Sequence, residues 1–132
     1  MVGETNLSKL LASMSPHLMP GEYVFCSVQG DYSDFKDLAP LAFFRETEGL
    51  TLVISKDAAL ANELSFESVF RCITLTIHSS LDAVGLTAAV ATKLAEKGIS
   101  ANVIAAYYHD HIFVQAQKAE LAIKALAEFS SE

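Results

Sequence analysis

A change of hydrophobic period, placed just past the middle of the chain, restricts the fold more than any other feature of the sequence. From Val69 to His78 the residues alternate, with Val69, Ile73, Leu75 and Ile77 on one face and Cys72, Thr74 and Thr76 on the other, interrupted only by Arg71. After Ser79-Ser80-Leu81-Asp82 the period lengthens to about 3.6, because Leu86, Val90 and Leu94 fall on one stripe flanked by alanines that allow close packing on a sheet. A central strand therefore feeds a helix. Lys93 and Lys97 stand towards the end of that helix and Gly98 follows, as expected of a C-terminus that favours cations and a left-handed residue. Ala101 to Tyr108 and His111 to Gln115 predict a hairpin around His109-Asp110. Lys118 to Phe129 places Ala119, Ala122, Leu126 and Phe129 along one further helical stripe. The second half reads β-α-β-β-α.

The first half is less regular. Leu7, Leu10, Leu11 and Met14 recur at helical spacing behind Asn6, and Pro16 stops the run. Pro20-Gly21 makes a turn, and Glu22 to Val28 alternates with β-branched and aromatic content, a strand pattern. Residues 29–40 carry turn formers and three Asp, which predicts the longest loop with one turn of helix at most. Leu41 to Glu48 and Leu50 to Ser55 predict a hairpin with Glu48-Gly49 at its tip, and Lys56 opens a short helix through Leu64. A hairpin followed by a helix thus occurs at 41–64 and again at 101–129, the mark of a weak internal duplication. A ferredoxin-like sheet needs a fourth strand after β-α-β-β-α, yet only Ser130, Ser131 and Glu132 remain. The missing strand has to come from the first half or from another chain.

Composition narrows the function classes. Of 132 residues 52% are hydrophobic and 19% charged, enough apolar surface to exclude disorder over most of the chain. The formal charge of −7 repels phosphate backbones, so nucleic acid is not an expected partner. The acidity is concentrated in residues 1–68, with four basic and ten acidic side chains against five and six in 69–132. No apolar run is long enough for a membrane span and the N-terminus lacks an export pattern, so a cytoplasmic protein is expected. Cys26 and Cys72 both fall in apolar stretches, where buried free thiols fit better than a disulfide or a metal pair.

The string Asp82-Ala83-Val84-Gly85-Leu86, followed by Val90, Leu94, Gly98-Ile99-Ser100 and Asn102-Val103, resembles the ACT-domain pattern. More narrowly, Ser79 to Ala88 and Ala105 to Val114, with Leu10 to Pro16, Pro20 to Phe25 and Phe44 to Leu52, resemble small bacterial tandem ACT-like proteins. These are similar in sequence to the ACT repeats of CASTOR-type arginine sensors. The resemblance implies an α+β fold of two ferredoxin-like units with antiparallel sheets and helices on one side. A degenerate unit would occupy residues 1–68 and a second unit residues 69–132. It also implies a regulatory module that binds a small molecule, most often an amino acid, and is not an enzyme. The ligand would lie near the loop after the first strand and the turn of the later hairpin. By position those elements give Ser79, Ser80, Leu81, Asp82, Val84, Gly85, Leu86 and Thr87, with Tyr108, His109, Asp110 and His111. Two units where CASTOR sensors have four imply a homodimer if an intersubunit site is to form.

Chemistry at those residues fits an amino acid. Gly85 at a helix start allows close approach, and the N–H groups of Gly85, Leu86 and Thr87 make an anion site. Asp82 or Asp110 can hold an ammonium, and Ser79 and Ser80 add adaptable hydroxyls. The same residues are also ordinary caps and turn formers, so a ligand-free structural dimerisation or protein-interaction module remains as the alternative. His109 and His111, spaced i and i+2, invite a metal, with His78 within reach if its strand is adjacent. The turn between them breaks that geometry and no third-ligand pattern accompanies them, so neither a metal nor a cofactor is expected. Ser79, Cys72, His78 and Asp82 are close in sequence, but triads assemble in space. No nucleophile elbow, phosphate loop or dinucleotide fingerprint occurs. Glu46 and Glu48, with Arg45 beside them, read as a solvated hairpin edge rather than an acid pair.

Overall fold

The computed structural model describes residues 7–76 and 85–130. By packing, the chain forms two compact units, a discontinuous one of residues 1–20 and 71–132 and a continuous one of residues 21–70. The unit boundary expected from sequence at residue 68 follows chain order, whereas the division by packing groups residues 1–20 with residues 71–132.

In the discontinuous unit the elements are α1 (Leu7–Ser13), β1 (Pro16–Leu18), β5 (Phe70–Leu75), α4 (Leu86–Glu96), β6 (Asn102–Ala105), β7 (Asp110–Gln115) and α5 (Ala119–Ala127). Its strands run in the order β1-β5-β7-β6. β1 fills the fourth place that the second half cannot supply, pairing antiparallel with β5 as Pro16 to Leu75, His17 to Thr74 and Leu18 to Ile73. The Met19 N–H donates to the Cys72 carbonyl at 2.9 Å, and the Thr76 N–H donates to the Ser15 carbonyl at 3.0 Å, extending the pairing at both ends. A proline opens β1 without loss because, among the described residues, this strand is paired only with β5. Ile73, Leu75, Ile112 and Val114 point to the face covered by α1, α4 and α5. There Leu10, Met14, Leu86, Val90, Leu94, Ala122, Leu126 and Phe129 complete the core. The three helical stripes read from the sequence are the three buried faces.

Gly85, the residue before α4, has φ +91 and ψ −10, a backbone conformation that side chains resist. A Cβ there would also lie 3.3 Å from Leu7 Cδ2. The glycine is thus required by the fold itself.

The continuous unit contains β2 (Tyr23–Val28), α2 (Tyr32–Phe35), β3 (Ala42–Glu46), β4 (Gly49–Ser55) and α3 (Lys56–Ala61). Its strands run β3-β4-β2, with Phe70 paired to Tyr23 on the far side of β2. Val24, Cys26, Leu50, Leu52, Ile54 and Ala59 form a separate core. The long loop read from the sequence holds α2 and a 3-10 turn at Lys36–Leu38, so the first helix of this unit is reduced to little more than one turn. Asp31 and Asp34 close that turn reciprocally. α3 stops at Ala61, earlier than its apolar pattern suggests, because Glu63 adopts φ +56 and the Leu64 N–H bonds back to the Ala59 carbonyl.

Both hairpin tips differ from expectation by one or two residues. Glu46 pairs with Gly49, so the first turn is Thr47-Glu48, and Ala105 pairs with Asp110, with Tyr107-Tyr108 at the second tip. The Ala106 N–H donates to the His109 carbonyl at 3.0 Å and closes the second turn there. Asp110 therefore begins β7 and is not a turn residue. Cys26 and Cys72 are free and buried, and burial pushes both thiols upward in pKa. Among the described residues no helix is long and apolar enough to cross a membrane.

Leu10 is 1% exposed in the core of the discontinuous unit, whereas Leu60 is 57% exposed. Leu10→Ala is expected to cost about 2–5 kcal/mol in urea unfolding and Leu60→Ala less than about 0.5 kcal/mol. Equal effects would show that the N-terminal helix contributes nothing to that core. Gly85→Val should lower the melting temperature with no ligand present, through about 1–3 kcal/mol of backbone strain.

Candidate functional site

The position singled out by sequence lies in the discontinuous unit. Ser79, Ser80, Leu81, Asp82 and Val84 lie outside the described residues. Gly85 is half-buried, Thr87 is exposed, and the Leu86 side chain is only 4% exposed within the core. Leu86 can meet a ligand through its main-chain N–H alone. A shallow cleft of about 480 Å³ touches Gly85, but it runs along α4 past Ala88, Thr92 and Lys93 to Phe129. It does not include the hairpin. Lys93 is already committed, 3.2 Å from Glu128 Oε1 and 5.0 Å from the centre of the Phe129 ring. Lys93 and Lys97 together hold the Glu128 carboxyl below the usual carboxylate range.

At the hairpin, Tyr108 is 78% exposed and packs edge-on against Tyr107 with ring centres 5.0 Å apart. His109, Asp110 and His111 are half-buried. Since Ile112 and Val114 face the helices, His111 lies on the opposite face of the sheet, where its Nδ1 is 2.9 Å from the hydroxyl of buried Thr74. His17 of β1 stands opposite Thr74 in register. Burial pushes the His111 pKa down, His109 adds to this and Asp110 opposes it; burial pushes the Asp110 pKa up, against the pull of both histidines. His109 Nδ1 is buried without a hydrogen-bond partner among the described residues. The rings of His109 and His111 are 6.5 Å apart, and no group of three metal-binding side chains occurs among the described residues. No described cleft joins Gly85–Thr87 to Tyr108–His111.

The continuous unit carries a cleft between loop and hairpin, which the sequence reading passed over. Its loop after the first strand, Gln29-Gly30-Asp31, and its hairpin residues Arg45, Glu46 and Thr47 line a cleft of about 240 Å³ floored by Gly49 and Leu50. Gln29 Nε2 donates to the Glu48 carbonyl at 2.8 Å, fastening loop to turn. A Cβ on Gly49 would lie 2.9 Å from both Gln29 Nε2 and the Val28 carbonyl oxygen, so the close approach of turn and loop needs a glycine. Glu46 is held by the Thr51 hydroxyl, and the Arg45 guanidinium lies 6.0 Å from the centre of the Phe43 ring. Glu46 belongs to β3 and Glu48 to the turn, so they do not form an acid pair on one strand face. The cleft is lined by one cationic residue, Arg45, together with Asp31 and Glu46, the Glu46 carboxylate being bonded to Thr51 on the sheet face opposite Arg45. Turn formers and a charged hairpin edge conceal such a site in sequence. The internal duplication of hairpin and helix at 41–64 and 101–129 was the available signal, because it relates this turn to the turn of the later hairpin.

The His111 shift has a defined sign. A histidine whose folded pKa lies below its unfolded value of about 6.5 binds fewer protons when folded, so its stabilising contribution is complete above that pH and is lost on acidification. His111→Gln keeps a side chain able to bond Thr74 and removes the titration. Thermal unfolding between pH 7.5 and 5 should show a smaller acid-side loss of melting temperature in this variant than in the wild type; identical slopes would exclude His111 as the source.

ACT-domain sequence profiles match residues 2–71 and residues 67–128. A crystal structure of a Vibrio cholerae protein of unknown function, described as a possible transport protein, superposes with TM-score 0.89 at 61% identity, over 94% of this chain and 95% of that one. An Agobacterium tumefaciens protein superposes with TM-score 0.74 at 17% identity, over 89% of each chain. The ligand-free regulatory subunit of aspartate kinase from Thermus thermophilus shares the fold with TM-score 0.65 at 12% identity, over 89% of this chain and 97% of that one. No curated protein matches the chain in sequence. With two successive profiles spanning nearly its whole length, and a strand order to match in its discontinuous unit, the chain belongs to the ACT domain family.

Proposed function

We propose that the protein is a small-molecule-binding regulatory module whose ligand is an amino acid, acting as a homodimer and without catalytic chemistry of its own. The cleft of the continuous unit carries this reading. A zwitterion needs a cation for its carboxylate and an acid for its ammonium within one small site, and Arg45 and Asp31 both line this cleft. A volume of about 240 Å³ falls below the range of roughly 300–1,000 Å³ common for drug-sized ligands, which suits a small metabolite. ACT family membership and the likeness to a regulatory subunit of aspartate kinase support the regulatory role. As sequence units we retain residues 1–68 and 69–132, consistent with the two matched segments.

A corresponding site in the second sequence unit would use Ser79, Ser80, Leu81, Asp82, Val84, the main chain of Gly85, Leu86 and Thr87, and Tyr108 to His111. Its polar groups among the described residues include Thr87, Tyr108, Asp110 and His111, with His109 Nδ1 buried without a hydrogen-bond partner. The resemblance to CASTOR-type sensors makes arginine the first ligand to try.

Thermal unfolding against each of the twenty amino acids at millimolar concentration tests the reading, because a ligand that binds only the folded chain raises its stability. At a hundredfold excess over Kd the gain is about 2.7 kcal/mol. One amino acid, or a few related ones, should raise the melting temperature. Arg45→Gln removes the cation of the cleft, so it should weaken that ligand by about tenfold or more. A loss on Asp110→Asn instead would place the ligand in the discontinuous unit. No shift with any amino acid would sink the ligand reading and favour an interaction module.

A further inference from the structure

Gln29 stands between the loop after β2 and the hairpin turn, and its amide is fixed by what it binds. Nε2 donates to the Glu48 carbonyl at 2.8 Å, a bond that decides which end of the amide is nitrogen, since a flipped amide would set oxygen against oxygen. Oε1 is therefore the group that Gln29 offers to the cleft, and it accepts but cannot donate. Thr47 adds a hydroxyl. The floor of Gly49 and Leu50 brings no charge and little apolar surface, because Leu50 is only 3% exposed. Charge at the cleft points the same way. Arg45 is the one cationic residue among those that line it, against Asp31 and Glu46. The continuous unit, residues 21–70, has three basic residues, Lys36, Arg45 and Lys56, against nine acidic ones, and Lys56 is beside Glu22 at 3.6 Å. Once Arg45 takes the α-carboxylate of an amino acid, no cation of the cleft remains for a second carboxylate, and the acidic surround repels one.

We infer that the amino acid bound in this cleft ends in a nitrogen donor, a carboxamide or a guanidinium, and that the acid of the same shape is rejected. The inference rests on the amino-acid reading of the cleft and names the side chain that reading leaves open. An N–H aimed at Gln29 Oε1 makes an ordinary amide bond of the kind Gln29 already makes through its nitrogen. A carboxylate in the same place sets acceptor against acceptor and gives up water for no partner. An aliphatic end finds almost nothing to cover on the floor. Glutamine and glutamate, or asparagine and aspartate, differ by one nitrogen for one oxygen, so shape does not separate them; the missing bond and the repulsion do. Gln29 is exposed, and water screens part of the repulsion, so the separation is about tenfold and not several thousandfold.

Calorimetric titration of the full-length chain with matched pairs tests this: L-glutamine against L-glutamate, L-asparagine against L-aspartate, and L-arginine as the cationic member. At least one of glutamine, asparagine and arginine should bind, and an amide that binds should do so about tenfold or more tighter than its acid. Gln29→Lys keeps a donor for the Glu48 carbonyl and puts a cation where the acceptor was, so it should remove or reverse the preference for amide over acid and weaken arginine. A mere loss of stability does not move the ratio of two dissociation constants, and the wild-type ratios stand without the variant. An acid that binds as tightly as its amide, or binding confined to amino acids with apolar side chains, would overturn this inference and leave the amino-acid reading in place. A preference that Gln29→Lys leaves unchanged would do the same. No binding of any of the twenty amino acids would overturn both.

Discussion

Three residues, Pro16–Leu18, lie beside Leu75–Ile73, and on that short antiparallel contact the order of the discontinuous unit depends. Without it, β5 would have a bare side and the sheet would lack the fourth strand its connections demand. With it, α1 is carried to the core face, where Leu10 and Met14 are nearly fully buried beside Ile73 and Leu75. Three residue pairs are a weak anchor alone. They are reinforced by the Met19 and Thr76 main-chain bonds, by the Thr76 hydroxyl on the Ser15 carbonyl at 2.7 Å, and by Arg71, whose guanidinium donates to the Met19 carbonyl at 2.9 Å. A long sequence separation makes this closure entropically demanding, and burial of Leu10 and Met14 offsets part of it.

That dependence explains what could be read in advance. Helical stripes such as Leu86, Val90, Leu94 and Ala122, Leu126, Phe129 were legible because they answer to one local rule: an apolar face every 3.6 residues must be buried. The existence of a missing fourth strand was legible too, since the element order of the second half requires one. Its identity was not. Pro16-His17-Leu18 has too few residues to show a period of two, and a proline in it argues against a strand unless its position at an edge is already known. The hairpin tips slipped for a related reason. His109-Asp110 and Glu48-Gly49 have the composition of turns, but register is decided by pairing along the whole hairpin, which places Tyr107-Tyr108 and Thr47-Glu48 at the tips.

The candidate sites divide along the same line. Gly85 was picked out for close approach of a ligand, and the structure shows a nearer cause in its φ of +91 and the Leu7 side chain beside it. Leu86 was named by its place in a motif, while its side chain belongs to the core. His111 keeps its interest because burial and Thr74 set its protonation in a way that no neighbour in sequence announces. Arg45, Asp31 and Glu46 gave no motif at all. They come to line one cleft only when Gln29 binds the Glu48 carbonyl and brings the loop after β2 against the hairpin. A contact between residues nineteen positions apart leaves no local pattern to find.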